Sequence, residues 1–192
     1  MKLSHVEGVV LAGGASSRMG QDKARVEWQG VPMAERVARA LGACLEQVRV
    51  VVRPGVTPPV DLPVIEDDHE IRAPIVGIHA ALRACKSSAV LVAACDLPQI
   101  DPRVLLALLT HVPVSGGPEI VAPEGPMGPE PLLAVYRPSL LHRVEKHIRT
   151  NDLSLQKLLR SCDTHIVSAA SLREIDPDLR SLRNVNSPTD LP

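Results

Sequence analysis

Gly13 and Gly14, followed closely by Arg18 and Lys23, join two positions without side chains to two cations. They come straight after an apolar run, Val9 to Ala12, that reads as a buried strand. This combination suits a polyphosphate. Glycine lets the backbone approach closely and adopt positive φ, and successive free N–H groups then form an anion-binding concavity. A guanidinium can grip phosphate oxygens bidentately, while an ammonium acts as a point charge. Two carboxylates complement these cations. Asp96 stands between Cys95 and Leu97-Pro98, and Asp67 lies within Glu66-Asp67-Asp68. Magnesium needs only one or two protein carboxylates beside substrate phosphates and waters, so Asp96 reads as a metal ligand rather than as a cap on the following turn. Asp67 either adds a carboxylate near nucleotide or metal, or sits in a solvated loop. Asp101 before Pro102 reads as a helix cap without chemistry.

The common phosphate loops do not match. A Walker loop needs Lys directly after its last Gly, and here Gln21 and Asp22 separate Gly20 from Lys23. The G-x-G-x-x-G dinucleotide pattern is also absent. The histidines form no metal-spaced pair, and His142 and His147 read as surface residues. Cys95 reads as core rather than as a nucleophile. The thiols Cys44, Cys85, Cys95 and Cys162 include no C-x-x-C pair, so four buried free thiols in a reducing compartment are expected.

The elements that must hold these residues alternate in type. After the loop, Met33, Val37, Leu41 and Leu45 recur at helical spacing, which predicts a helix over 32–46. Strands are predicted at Val48 to Val52, Leu62 to Ile65 and Ala89 to Cys95, the last apolar enough to be covered on both faces. A helix opening at Pro74 carries Ile75, Ile78, Leu82 and Cys85 on one face. Gly77 within it costs about 1 kcal/mol against Ala, which implies close approach by a neighbouring strand or a base. Further strands are predicted at Glu119 to Ala122, Leu132 to Tyr136 and Thr164 to Ser168, with helices near 101–109, 139–150 and 153–161. Ser171 to Glu174 forms a candidate capping box. The alternation predicts an α/β fold with a mainly parallel sheet between helical layers. In such sheets ligands sit beyond the carboxyl ends of strands. The glycine loop, Asp67 and Asp96 each follow a strand, so they should gather along one edge.

At 192 residues the chain is expected to be one domain, with residues 113–131, rich in Pro and Gly, dividing a nucleotide half from a substrate half. Trp28 and Tyr136 are its only large aromatic residues, so the core must be aliphatic. A formal charge of −1 gives no electrostatic case for a nucleic-acid partner. No signal-peptide pattern and no apolar run of membrane-spanning length is seen, so no membrane association is expected and cytoplasm is the expected compartment.

Leu-Ala-Gly-Gly-x-Ser-x-Arg-Met-Gly-x-Asp-Lys, ending at Lys23, resembles the signature loop of the nucleotidyltransferases, and most closely that of the molybdenum cofactor guanylyltransferases. Cys-Asp-x-Pro at 95–98, Pro131 to Tyr136 and Asn184-Val-Asn186-x-Pro188 extend the likeness over almost the whole chain. Two positions depart from it: Arg53 replaces an Asn, and Ala73-Pro74-Ile75-Val76-Gly77 lacks the first Gly of the matching segment. The resemblance implies a three-layer, Rossmann-like (GT-A-like) nucleotidyltransferase fold, with about 1–112 binding nucleotide and about 113–192 binding acceptor. It implies transfer of GMP from GTP to the terminal phosphate of molybdopterin, with pyrophosphate released. The implied site is Leu11, Ala12, Gly13, Gly14, Lys23, Asp67 and Asp96 for GTP, with Mg2+ on Asp96. Lys23, Arg18 and Asp96 would be the catalytic groups. Asn184 and Asn186 would lie near the pterin. Cofactor-delivery proteins or apo-molybdoenzymes would be the protein partners. Three rivals remain: cytidylyl transfer to the same acceptor, a sugar-phosphate nucleotidyltransferase, and a non-catalytic module that binds nucleotide or pterin. Gly13 favours GTP over CTP, since cytidylyl relatives resemble Leu-Ala-Ala-Gly there.

Overall fold

The computed structural model describes residues 2–13 and 22–190. Ten strands and six helices follow one another along it. The strands are β1 (Leu3–Leu11), β2 (Glu27–Trp28), β3 (Val31–Pro32), β4 (Leu45–Val52), β5 (Val64–Glu66), β6 (Ala89–Ala94), β7 (Ile120–Gly125), β8 (Gly128–Pro129), β9 (Leu133–Tyr136) and β10 (Thr164–Val167). The helices are α1 (Met33–Cys44), α2 (Pro74–Ala84), α3 (Pro102–Leu109), α4 (Leu141–Arg149), α5 (Leu155–Ser161) and α6 (Ala169–Arg173).

The main sheet runs β10-β7-β9-β6-β1-β4-β5, with β8 paired to β7. Its centre is parallel: β1 pairs with β4 and β6, and β4 with β5. β9 runs antiparallel to both β6 and β7. It is reached from β7 through the tight β7–β8 hairpin, and so short a connection cannot make the crossover that a parallel partner needs. Side chains of β1 alternate between the faces, as a period of two requires. Val10 joins the cluster containing Val37 and Leu41 of α1, and Val9 joins Ile75 and Ile78 of α2. α1, α3 and α6 therefore cover one face, and α2, α4 and α5 the other. β6 is buried along its whole length, as its unbroken apolar run predicts.

The chain leaves β1 through α1 to β4 and β5, then returns to the opposite side of β1 as β6. The strand order reverses between β1 and β6, which opens a crevice at their carboxyl ends.

Several boundaries differ from the sequence reading. α1 passes directly into β4, so that strand starts at Leu45, whose side chain is buried against α1 instead of ending the helix. β5 is shifted to Val64–Glu66, and Asp67 continues its ladder by donating its N–H to Val52 O at 2.9 Å. The last cap is Ser168, whose Oγ accepts from Ser171 N at 3.2 Å; Ser171 lies inside α6 and caps nothing. Asp101 caps α3 as expected, accepting from Arg103 N at 2.8 Å. Cys44 and Cys95 are buried, whereas Cys85 and Cys162 are partly exposed. Among the described residues no helix is long and apolar enough to cross a membrane.

Candidate active site

The crevice between β1 and β6 holds a cavity lined by Leu11 at the end of β1, Ala12 and Gly13 just after it, Lys23 from the next turn, Asp67 after β5 and Asp96 after β6. Gly14 and Arg18 lie outside the described residues.

Lys23 is placed by the residue before it. Asp22 caps the short helical turn Lys23–Arg25, its Oδ1 accepting from Ala24 N at 3.1 Å. From there Lys23 Nζ donates to Asp96 Oδ2 at 2.6 Å and to Asn186 Oδ1 at 2.9 Å. Asp96 is held by its backbone: Cys95 N donates to Leu11 O at 3.1 Å, and Val185 N to Asp96 O at 2.9 Å. Among the described residues its side chain caps no turn and accepts from Lys23. Asp96 Oδ1 is buried and has no hydrogen-bond partner among the described residues. A buried, unsatisfied carboxylate oxygen is costly, and it is the donor a divalent cation takes. No cluster of three or more His, Cys, Asp or Glu suited to a metal occurs among the described residues. The residues present therefore fit a magnesium-like ion held by one carboxylate and completed by substrate oxygens and water.

Asp67 does not sit in a solvated loop. It is 5% exposed, its Oδ1 accepts from His69 N at 3.2 Å, and its Oδ2 lies 3.8 Å from Arg53 Nη1. Arg53 also donates to Ile71 O at 3.2 Å and lines the cavity. Gly77 lines it too. A Cβ there would stand 3.1 Å from Leu11 Cδ2, so the close approach read from the sequence is made by β1.

Asn186 reaches the site through Lys23, and Asp190 Oδ2 accepts from its backbone N–H at 2.8 Å. Asn184 is exposed on the same segment. Between them Val185 packs with Val26, Trp28 and Met33 in a separate small cluster. This contact, missed in the sequence, docks the C-terminal segment on the turn that carries Lys23; a lone Trp in a chain poor in aromatics was its one signal. Burial pushes the Cys95 thiol up to about 12, which keeps it protonated and non-nucleophilic. His142 is exposed as expected, but His147 is largely buried, with Nδ1 3.1 Å from Asp152 O.

The MobA-like NTP transferase domain matches residues 8–168 of this chain. The chain belongs to this family. Among its relatives, a probable molybdenum cofactor guanylyltransferase from a Nostoc species is 33% identical, the match covering 98% of this chain and 90% of the relative. A molybdenum cofactor guanylyltransferase from Desulfosudis oleivorans is 31% identical over 97% of this chain and 92% of its own. Molybdopterin-guanine dinucleotide biosynthesis protein A from Archaeoglobus fulgidus superposes with a TM-score of 0.82 at 30% identity, covering 96% of this chain and 94% of that one. The nucleotidyltransferase fold expected from the sequence is thus the observed one, and the chain is a nucleotidyltransferase. Enzymes of this family typically use a divalent metal ion.

Proposed function

We propose that this nucleotidyltransferase moves GMP from GTP to the terminal phosphate of molybdopterin, forming the guanine dinucleotide cofactor and pyrophosphate. The pairing of Lys23 with Asp96 inside the cavity, with Asp96 Oδ1 unpartnered among the described residues, carries the assignment of roles.

Residues of about 1–112 take the nucleotide. Leu11, Ala12 and Gly13 present their backbone to the triphosphate and Lys23 neutralises it, and Gly14 and Arg18 are assigned the same two roles from the sequence motif alone. Lys23 now spans Asp96 and Asn186, so an incoming phosphate draws its ammonium from carboxylate to phosphate. Asp67 faces the nucleoside. Asp96 would hold Mg2+, which supplies charge neutralisation between two anions when bound. Asn184 and Asn186, within about 113–192, take the acceptor.

The reaction needs little covalent work from the protein. An oxygen of the acceptor phosphate, already anionic, attacks the α-phosphorus. The bond to the β-phosphate breaks, and its electron pair leaves on pyrophosphate. No general base is required; positioning and charge carry the step. Such a reaction belongs in the cytoplasm, where cofactor-delivery proteins or apo-molybdoenzymes would receive the product.

The test is to incubate the protein with molybdopterin, Mg2+ and each nucleoside triphosphate in turn, and to follow pyrophosphate and the product mass. GTP should give one pyrophosphate per guanine dinucleotide formed. Turnover with CTP in its place, turnover with a sugar 1-phosphate, or nucleotide binding without pyrophosphate would overturn the proposal.

A further inference from the structure

His79 is buried outside the cavity at 5% exposure, and the reaction gives it no task. It lies on α2, just beyond Gly77. Its Nδ1 is 3.1 Å from Nε2 of His69, and its Nε2 is 3.5 Å from Oε1 of Glu145 on α4. His69 in turn donates its backbone N–H to Asp67 Oδ1 at 3.2 Å. A continuous set of contacts therefore leads from α4, through α2, to the carboxylate on the nucleotide wall.

The chemistry of the end group orders the protons. A carboxylate only accepts, so the 3.5 Å approach of Glu145 Oε1 favours the tautomer that carries its proton on His79 Nε2. Nδ1 of the neutral ring is then an acceptor, and it takes the Nε2–H of His69. Burial lowers the His79 pKa, with Glu145 opposing and His69 and Arg83 adding to the drop. The contact with His142 holds Glu145 below the usual carboxylate range. A neutral ring facing an ionised carboxylate is thus the form near pH 7.

We propose that His79 is a positioning residue for nucleotide binding: in one fixed tautomer it locks the His69 ring and so sets the Asp67 carboxylate. The proposal rests on Asp67 contacting the nucleotide, as argued above. The groups that face His79 are His69 from the loop after β5, Glu145 from α4 and Arg83 from its own helix. Arg83 adds an exposed tie to the same loop, 3.5 Å from Asp68 Oδ1.

Three readouts test this. In the 15N spectrum of the free protein, His79 should be protonated at Nε2 and bare at Nδ1, and Glu145→Ala should release that lock. His79→Phe should raise the KM for GTP about tenfold, on the scale of one buried hydrogen-bond network, with kcat within about twofold. The wild-type KM for GTP should also rise as pH falls through the lowered His79 pKa, because a protonated ring turns a second N–H toward His69. His79→Phe should lack that limb. Should His79→Phe not fold, Glu145→Ala, altered at a half-exposed position, carries the same test with a KM increase of about threefold. A native Nδ1–H tautomer, or an unchanged KM in folded variants, overturns the proposal. The spectrum needs no substrate, so failure of the guanylyl-transfer reading leaves its outcome unaffected.

Discussion

Replacing Gly77 with Ala should separate stability from nucleotide affinity. Within α2, Ala is favoured over Gly by about 1 kcal/mol through backbone entropy. Against this, the new Cβ would stand 3.1 Å from Leu11 Cδ2, a few tenths of an ångström inside ordinary contact. Cδ2 is the far end of a flexible side chain, and Leu11 is only partly buried because it borders the cavity. It can yield, but only by rotating its isobutyl group. The helix should therefore keep most of its gain, raising Tm by about 1–3 °C for a chain of this size. The displaced Leu11 should cost about three- to tenfold in GTP affinity, the scale of one misplaced apolar contact. Calorimetric unfolding and a GTP titration on the same preparation measure both. A rise in Tm with unchanged GTP affinity would refute the reasoning, because the wall shared by Leu11 and Gly77 would then not touch nucleotide. A Tm lowered by more than about 3 °C would refute the claim that Leu11 yields.

Three further outcomes are expected. Glu7, 2% exposed, accepts from Lys86 N at 2.8 Å and Ser87 N at 3.0 Å and lies 3.3 Å from Arg49 Nη2, so Glu7→Ala should cost about 3 kcal/mol in urea unfolding without changing KM. Trp28→Ala empties the small cluster that seats Val185; it should cost about 3 kcal/mol and raise the KM for molybdopterin more than that for GTP. Chelation with EDTA should stop pyrophosphate release and Mg2+ should restore it, while Tm without nucleotide stays constant because Lys23 already pairs Asp96.

Much of the site was legible because its parts are local. An apolar strand followed by two glycines and a spaced lysine reads directly from Val9 to Lys23, and Cys95-Asp96-Leu97-Pro98 reads as a strand end with a carboxylate. Alternation of strands and helices then brought Lys23, Asp67 and Asp96 to one edge of the sheet, where the cavity lies. Contacts between distant segments were not legible. Asp67 looked equally suited to solvent, because nothing local announces that Arg53 and the His69 amide enclose it. The direction of β9 depends on the length of the β7–β8 turn, while periodicity reports only that a strand exists. The start of β4 was missed because Leu45 suits a helix face and a buried strand equally well, and no Gly or Pro punctuates the junction. His79 was hidden within the apolar face of α2, and only the fold brings Glu145 to it.

The central claim is that Lys23 and Asp96 act on one metal-bound triphosphate, and a double-mutant cycle tests it most directly. Lys23→Met and Asp96→Asn should each lower kcat/KM for GTP about a hundredfold to a thousandfold. If the two residues work as a unit, the double variant should be scarcely slower than the worse single one. Two losses that simply multiply would mean that the residues act independently, and would contradict the account.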